Sequence, residues 1–251
     1  MIRYAAPALT ALALMAAPVS AADLTNLSDS ERAAFRDEIR AYLMDNPEVI
    51  MEAVGLLEQR EAEAEARADL TMVSQNSAEI FEDGYSWVGG NPDGDITLVE
   101  FMDYRCGYCR KAVPEIEKLL KSDGNVRLII KEFPILGEAS MLSSRFAIAV
   151  KQLEGDDAYK QAHDALVAFN GEITEVALQR LAEGLGLDAK AVVERMNAPE
   201  VSQEIIQTRA LAQKLKISGT PTFVLEDELL RGFVPADQME LIVADKRSNK
   251  S

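Results

Sequence analysis

The sequence predicts an α/β fold built around a two-cysteine motif, with a helical insertion in its second half and a helical extension at its N-terminus. Three observations carry this. An apolar run, Ile96–Met102, leads into the only two cysteines, Cys106 and Cys109, and a helical spacing of Ala112, Val113, Ile116, Leu119 and Leu120 follows them. A second apolar run, Val126–Glu132, is ended by Pro134, so strand, helix and strand form a parallel β-α-β unit. Between residues 137 and 215 helical faces recur without a strand signal, and the sheet resumes at Thr222.

Taken from its start, the chain opens on a targeting pattern. Arg3 supplies the positive end, residues 5–17 are apolar apart from Pro7 and Thr10, and Val19-Ser20-Ala21 offers small residues for cleavage. The run falls short of the ~20 residues that span a bilayer and is followed by charge, so residues 1–22 read as a cleaved secretory signal. Export matters because disulfides persist in oxidising compartments. Composition is that of a globular chain, 48% hydrophobic and 27% charged. The formal net charge is −16, and cleavage of a segment with one basic and no acidic side chain makes it −17. Such a balance argues against nucleic acid and anionic membranes as partners.

Residues 23–80 are expected to form a helical stalk. Ser28 or Ser30 caps a first helix with Phe35, Ile39, Tyr42 and Leu43 on one face. Asn46-Pro47 restarts it, with Asn46 as N-cap, and Val49, Ile50, Ala53, Val54 and Leu57 continue an apolar stripe. A lone amphipathic helix gains little in water, so this stripe is expected to pack against copies of itself. Residues 58–68 are charged and alanine-rich, with strong helix propensity and little to bury, the pattern of a solvated spacer.

The catalytic domain is expected over residues 81–251, with the insertion at about 138–215. Residues 81–95 read as a Gly- and Pro-rich loop anchored by Trp87, the only tryptophan. His163 falls in an inserted helix and reads as a structural histidine. Thr222–Leu225 and residues 229–233 form a hairpin, Pro235 opens a closing helix, and the polar tail from Lys246 is expected to fray.

A cysteine at the start of a helix sits among unpaired N–H groups and the positive end of the dipole, which stabilise the nucleophilic thiolate. Three other uses of the pair fit less well. A staple closing four residues stabilises by only roughly 2 kcal/mol. A zinc site needs about four ligands, where this chain offers two cysteines and the distant His163. Covalent haem needs histidine directly after the second cysteine, where Arg110 stands. No cofactor or metal is therefore expected.

The order strand, C-x-x-C helix, strand, helical insertion, Thr-Pro, hairpin, helix resembles the DsbA-like thioredoxin-fold thiol–disulfide oxidoreductases over roughly residues 90–244. The most specific pieces are residues 101–109, Phe133-Pro134-Ile135-Leu136-Gly137 and Gly219-Thr220-Pro221-Thr222-Phe223. Residues 42–50 resemble the N-terminal region of ScsC-like members, some of which oligomerise through it. The resemblance implies Cys106 as the exposed nucleophile, Cys109 as the resolving cysteine, Thr220-Pro221 as a cis-proline turn facing them, and Glu100 as the acid beneath. By position alone Glu100 reads equally as an ordinary carboxylate at a sheet surface, with Lys131 as a candidate partner. One departure stands out: Gly107-Tyr108 separates the cysteines, where strongly oxidising DsbA enzymes have Pro-His. Without that imidazole the thiolate is less stabilised, which suits reversible shuffling.

The expectation is a periplasmic thiol–disulfide interchange enzyme, more isomerase than one-way oxidase. Its partners would be unfolded or misoxidised exported proteins and a membrane redox protein, and it would be a dimer or trimer through its N-terminal helices. The alternatives are a monomeric DsbA-type oxidase and a copper-tolerance protein holding Cu(I) between two thiolates.

Overall fold

The computed structural model describes residues 26–250, so the export signal expected at residues 1–22 lies outside them. The chain divides after Arg60 into two units.

In the first unit, helix α1 (Asp29–Asp45) starts on a capping box: the Glu31 N–H donates to Ser28 Oγ, and the Glu31 carboxylate accepts from the Ser28 N–H. Asn46 does not cap the next helix as expected. Its backbone N–H and its side-chain amide both donate to the Tyr42 carbonyl, so it closes α1 instead. Helix α2 (Glu48–Gln75) follows Pro47. Helix α1 buries no residue, leaving Phe35, Ile39 and Tyr42 exposed.

The second unit is built on a mixed five-stranded sheet of order β1-β3-β2-β4-β5. Strands β2 (Ile96–Met102) and β3 (Val126–Glu132) are parallel, with Ile96 opposite Val126 and Met102 opposite Glu132. Helix α4 (Gly107–Asp123) makes the crossover between them. Strands β1 (Trp87–Gly90), β4 (Thr222–Leu225) and β5 (Glu228–Arg231) pair antiparallel with their neighbours. The short α3 (Ser77–Phe81) precedes the sheet. Five helices separate β3 from β4: α5 (Glu138–Glu154), α6 (Asp156–Ala168), α7 (Glu175–Gly184), α8 (Ala189–Met196) and α9 (Pro199–Lys214). Helix α10 (Ala236–Lys250) closes the chain.

Side chains alternate across each strand, so the sheet is buried on both faces. Ile96, Leu98, Met102, Leu128 and Ile130 pack on one side with α4 and the inserted helices. Val99, Phe101, Ile129 and Val224 pack on the other with Val73, Ile80, Leu211 and Leu215.

Two expectations are corrected here. The segment read as a loop contains β1, where Gly89 and Gly90 hide the strand preference of Trp87 and Val88. Its glycines are required by close approach: a Cβ on Gly90, at φ +65°, would lie 2.4 Å from the Val126 carbonyl. Trp87 does anchor the segment, donating from Nε1 to the Asp156 carbonyl and stacking on Tyr159. The tail also stays helical beyond Lys246, because Arg247 binds Asp95 and Asp123 while Lys246 pairs with Asp227 and Glu228.

Lys131 does not pair with Glu100. Phe101 is the residue opposite Lys131 and Ile130 is opposite Glu100, so the two polar side chains leave the sheet on different faces. The Lys131 ammonium, fully buried, donates to Asp83 Oδ2 at 2.6 Å and to the Glu79 carbonyl at 3.0 Å. Replacing Lys131 by alanine leaves a buried carboxylate unpaired, and urea denaturation should show a loss of about 3–5 kcal/mol. A loss below about 1 kcal/mol, the range of an exposed pair, would contradict this account of the contact.

Candidate active site

Strand β2 delivers Glu100 and then the turn that leads to the cysteines. Asp103, fully buried, holds that turn: Oδ1 accepts from the Arg105 N–H and the Ser140 hydroxyl, and Oδ2 accepts from the N–H groups of Ile135 and Leu136. Arg110 clamps the first turn of α4 from outside, donating to the carbonyls of Tyr104 and Phe169. Cys106 is then the N-cap of α4, with extended backbone at φ −77° and ψ 118°.

Both cysteines are free thiols in unequal surroundings. Cys106 is 8% exposed, less open than expected, because its Sγ lies 3.1 Å from the Thr220 carbonyl. Burial pushes its pKa up, but hydrogen bonds from the Thr220 side chain, from Cys109 and from the Tyr108 backbone outweigh burial and bring it below the ordinary thiol value. Cys109, one turn in, is fully shielded, and burial together with the Glu100 charge pushes its thiol well up. The Thr220–Pro221 bond is cis. Thr222 follows at once in β4, opposite Phe101 of β2, which places this turn beside the cysteine end of the sheet.

Glu100 is not at a sheet surface. It is 1% exposed, its Oε1 has no hydrogen-bond partner, and it lines a cavity of about 80 Å³ together with Trp87, Ile116, Ile130 and His163. Burial, then the charges of Glu132 and Cys106, push its pKa up to about 8, so it carries a proton at neutral pH.

Glu132 was missed by the sequence reading. It shares the face of Glu100, one strand over, and its Oε1 accepts from the hydroxyls of Tyr104 and Tyr159, each at 2.7 Å. Burial raises its pKa as well. His163 Nδ1 lies 3.1 Å from the Tyr104 hydroxyl, whose proton is committed to Glu132, so Nδ1 carries the ring proton. The ring is buried and its pKa falls to about 4, which keeps it neutral and agrees with a structural role. The signal for Glu132 was available only through register: two acids of the same parity in paired parallel strands.

This arrangement suits thiol–disulfide exchange. In such an exchange the Cys106 thiolate would attack one sulfur of a disulfide, forming a mixed disulfide and expelling the other sulfur as a thiolate. Cys109 would then lose its proton and attack Cys106, releasing the second thiolate and leaving a Cys106–Cys109 disulfide. Two electrons would pass to the substrate, and the reverse sequence would oxidise it.

Comparison with known proteins agrees with the geometry. Residues 97–244 match the DSBA-like thioredoxin domain, and residues 31–64 match the copper resistance protein ScsC N-terminal domain. A thioredoxin-like oxidoreductase from Silicibacter pomeroyi is 44% identical, with a TM-score of 0.63 over 69% of this chain and 98% of that one. Proteus mirabilis ScsC in a transitional conformation is 26% identical, with a TM-score of 0.66 over 89% of this chain and 100% of that one. A curated Na(+)/H(+) antiporter, NhaA 3 of Salinispora tropica, is 31% identical over 136 residues, 54% of this chain. The match spans only 21% of that antiporter's length. No helix among the described residues is long and apolar enough to cross a membrane. By its domain match and its solved relatives, the chain belongs to the DSBA-like thioredoxin-domain family of oxidoreductases.

Proposed function

We propose that this protein is a periplasmic thiol–disulfide interchange enzyme that isomerises disulfides in exported proteins, and can reduce or oxidise them, through Cys106-Gly107-Tyr108-Cys109. The observation that carries this reading is the inequality of the two thiols. Cys106 keeps 8% exposure and a lowered pKa beside Thr220-Pro221, and Cys109 is fully shielded with a raised one. The Thr220 backbone beside Cys106 offers an extended substrate segment an edge to pair with. Glu100, through the minor fraction of it that is ionised at neutral pH, is the proton acceptor for Cys109. The apolar start of residues 1–22 supports export. Substrates are misoxidised exported proteins, and a membrane redox protein restores the dithiol.

Isomerisation is favoured by linking several sites, since a mixed disulfide must outlast the search for the correct thiol. Residues 23–80 are proposed as the stalk that links them. In the first unit Ile39, Tyr42, Ile50, Val54 and Leu57 are between 42 and 56% exposed, an apolar surface for a dimer or trimer. Each such side chain buried is worth about 1.5–3 kcal/mol. Deletion of residues 23–60 should give a monomer that keeps dithiol exchange but loses isomerisation of a scrambled test protein. Light scattering on the mature protein tests the assembly: a monomeric mass at micromolar concentration sinks it.

A second reading, a monomeric DsbA-type oxidase, is favoured by the lowered Cys106 pKa, which stabilises the reduced form and so makes the disulfide oxidising. The redox state in the exporting cell separates the two: mostly reduced supports the isomerase, mostly oxidised the oxidase.

A further inference from the structure

We propose that the rim of Cys106 selects for disulfides flanked by acidic and apolar groups, although the protein as a whole is strongly acidic. The inference rests on the exchange chemistry proposed above and names the substrate class of the same site. The chain carries a formal net charge of −16, so on that ground alone it should repel anions. Residues 105–111 run the other way, with Arg105, Arg110 and Lys111 and no acidic side chain. Arg105 and Lys111 are exposed, and helix α4 has no acid in its first turn. Arg110 donates to the Tyr104 and Phe169 carbonyls and to Asn170 Oδ1, all neutral acceptors, so no carboxylate in these contacts cancels its charge. The positive end of the α4 dipole adds to the same field.

Between residues 100 and 115 each carboxylate is accounted for, whereas Glu138 and Glu172, near Leu136 and Asn170, are exposed. Glu100 is buried and protonated at neutral pH. Asp103 is fully buried under four donors. Glu115, the first acid along α4, is engaged by Lys118 and by the Ala236 N–H. The rest of the acidic surface acts weakly at the site, since salt screens exposed charges beyond about 8 Å at physiological ionic strength.

Around the cations lie apolar side chains. Tyr108 is 60% exposed, with its ring 6.5 Å from that of Phe233, itself 39% exposed. The Lys111 ammonium sits 5.3 Å from the Tyr108 ring centre. Leu136 is 52% exposed, and its N–H is tied to the same Asp103 that holds the Arg105 N–H. A segment with an aromatic or aliphatic residue and a carboxylate near its cysteine meets both features. An attacking thiolate and a departing one are formed at this rim, and the exchange itself needs no further reactant.

The test uses the reduced full-length protein and three small disulfides: dithiodipropionate, which is anionic, cystamine, which is cationic, and the uncharged hydroxyethyl disulfide. Each rate is divided by that of dithiothreitol with the same probe, which removes differences in leaving group. The expected anion-to-cation ratio is about tenfold above one at physiological ionic strength, where the distant acidic surface is screened, and falls towards one as salt is raised further. In the double variant Arg105→Glu, Lys111→Glu it should drop below one. A wild-type ratio at or below one at physiological ionic strength overturns the proposal. Absence of exchange with all three probes overturns the exchange reading itself, and this proposal with it.

Discussion

Replacing Cys106 by alanine abolishes disulfide exchange, whereas replacing Cys109 by alanine leaves substrates covalently attached to the protein. The asymmetry follows from where the two sulfurs lie. Cys106 caps the helix with its thiol pKa lowered, and only its thiolate reaches a bound disulfide. Cys109 is fully buried and is met only by a sulfur already bonded to Cys106. Without Cys109 the first step proceeds and intramolecular release does not. Non-reducing gels and intact mass should show mixed disulfides accumulating in the Cys109→Ala protein and none in Cys106→Ala. Adducts on Cys109 in the Cys106→Ala protein, at a comparable rate, would reverse the assignment.

Exchange Glu100 for glutamine, and the reduced protein should become more stable as the pH rises, relative to wild type. Burial, with Glu132 and Cys106 adding to it, lifts the Glu100 pKa from 4.5 to about 8. Between those values the folded state keeps a proton that the unfolded chain has released. Folding therefore binds protons, and wild-type stability falls as pH rises through this window. The slope from this one group is about 1.4 kcal/mol per pH unit, which accumulates to about 4 kcal/mol by pH 8. Glutamine keeps the shape without the titration, and Glu132 is present in both proteins as a common background. Urea denaturation at several pH values from 5 upward measures the difference. A stability gap that stays constant with pH would show that Glu100 titrates normally. The same variant should also slow release of the mixed disulfide, since Cys109 then lacks its proton acceptor.

Features set by a few consecutive residues were readable before the structure, and those set by register or long-range contact were not. The strand–C-x-x-C–helix unit places Cys106 and Cys109 by local geometry alone, and a serine cap for the first helix was legible, though not that it is Ser28 rather than Ser30. Strand β1 escaped because its glycines serve close approach rather than propensity, Gly90 to Val126 of β3 and Gly89 to the Trp87 ring. Lys131 was given the wrong partner because nearness in neighbouring strands says nothing about face until the register is known, and Asp83 lies 48 residues away. Glu132, Tyr104, Tyr159 and His163 meet through two separate elements, β3 and α6, and the turn after β2, so no spacing in the sequence announces them. The cis bond at Pro221 came from resemblance, since X-Pro bonds are cis in only about 5% of cases. The straight tail of α10 depends on Asp95 and Asp123, both more than a hundred residues away from Arg247.

The measurement that bears most directly on the central claim is the rate of alkylation of each cysteine in the reduced native protein as a function of pH, resolved by peptide mass. Cys106 should react first, with a midpoint below the ordinary thiol value of 9.0, and Cys109 should stay protected until the protein unfolds. Equal rates for the two thiols, or earlier reaction at Cys109, would contradict a nucleophile at Cys106 and the exchange mechanism built on it.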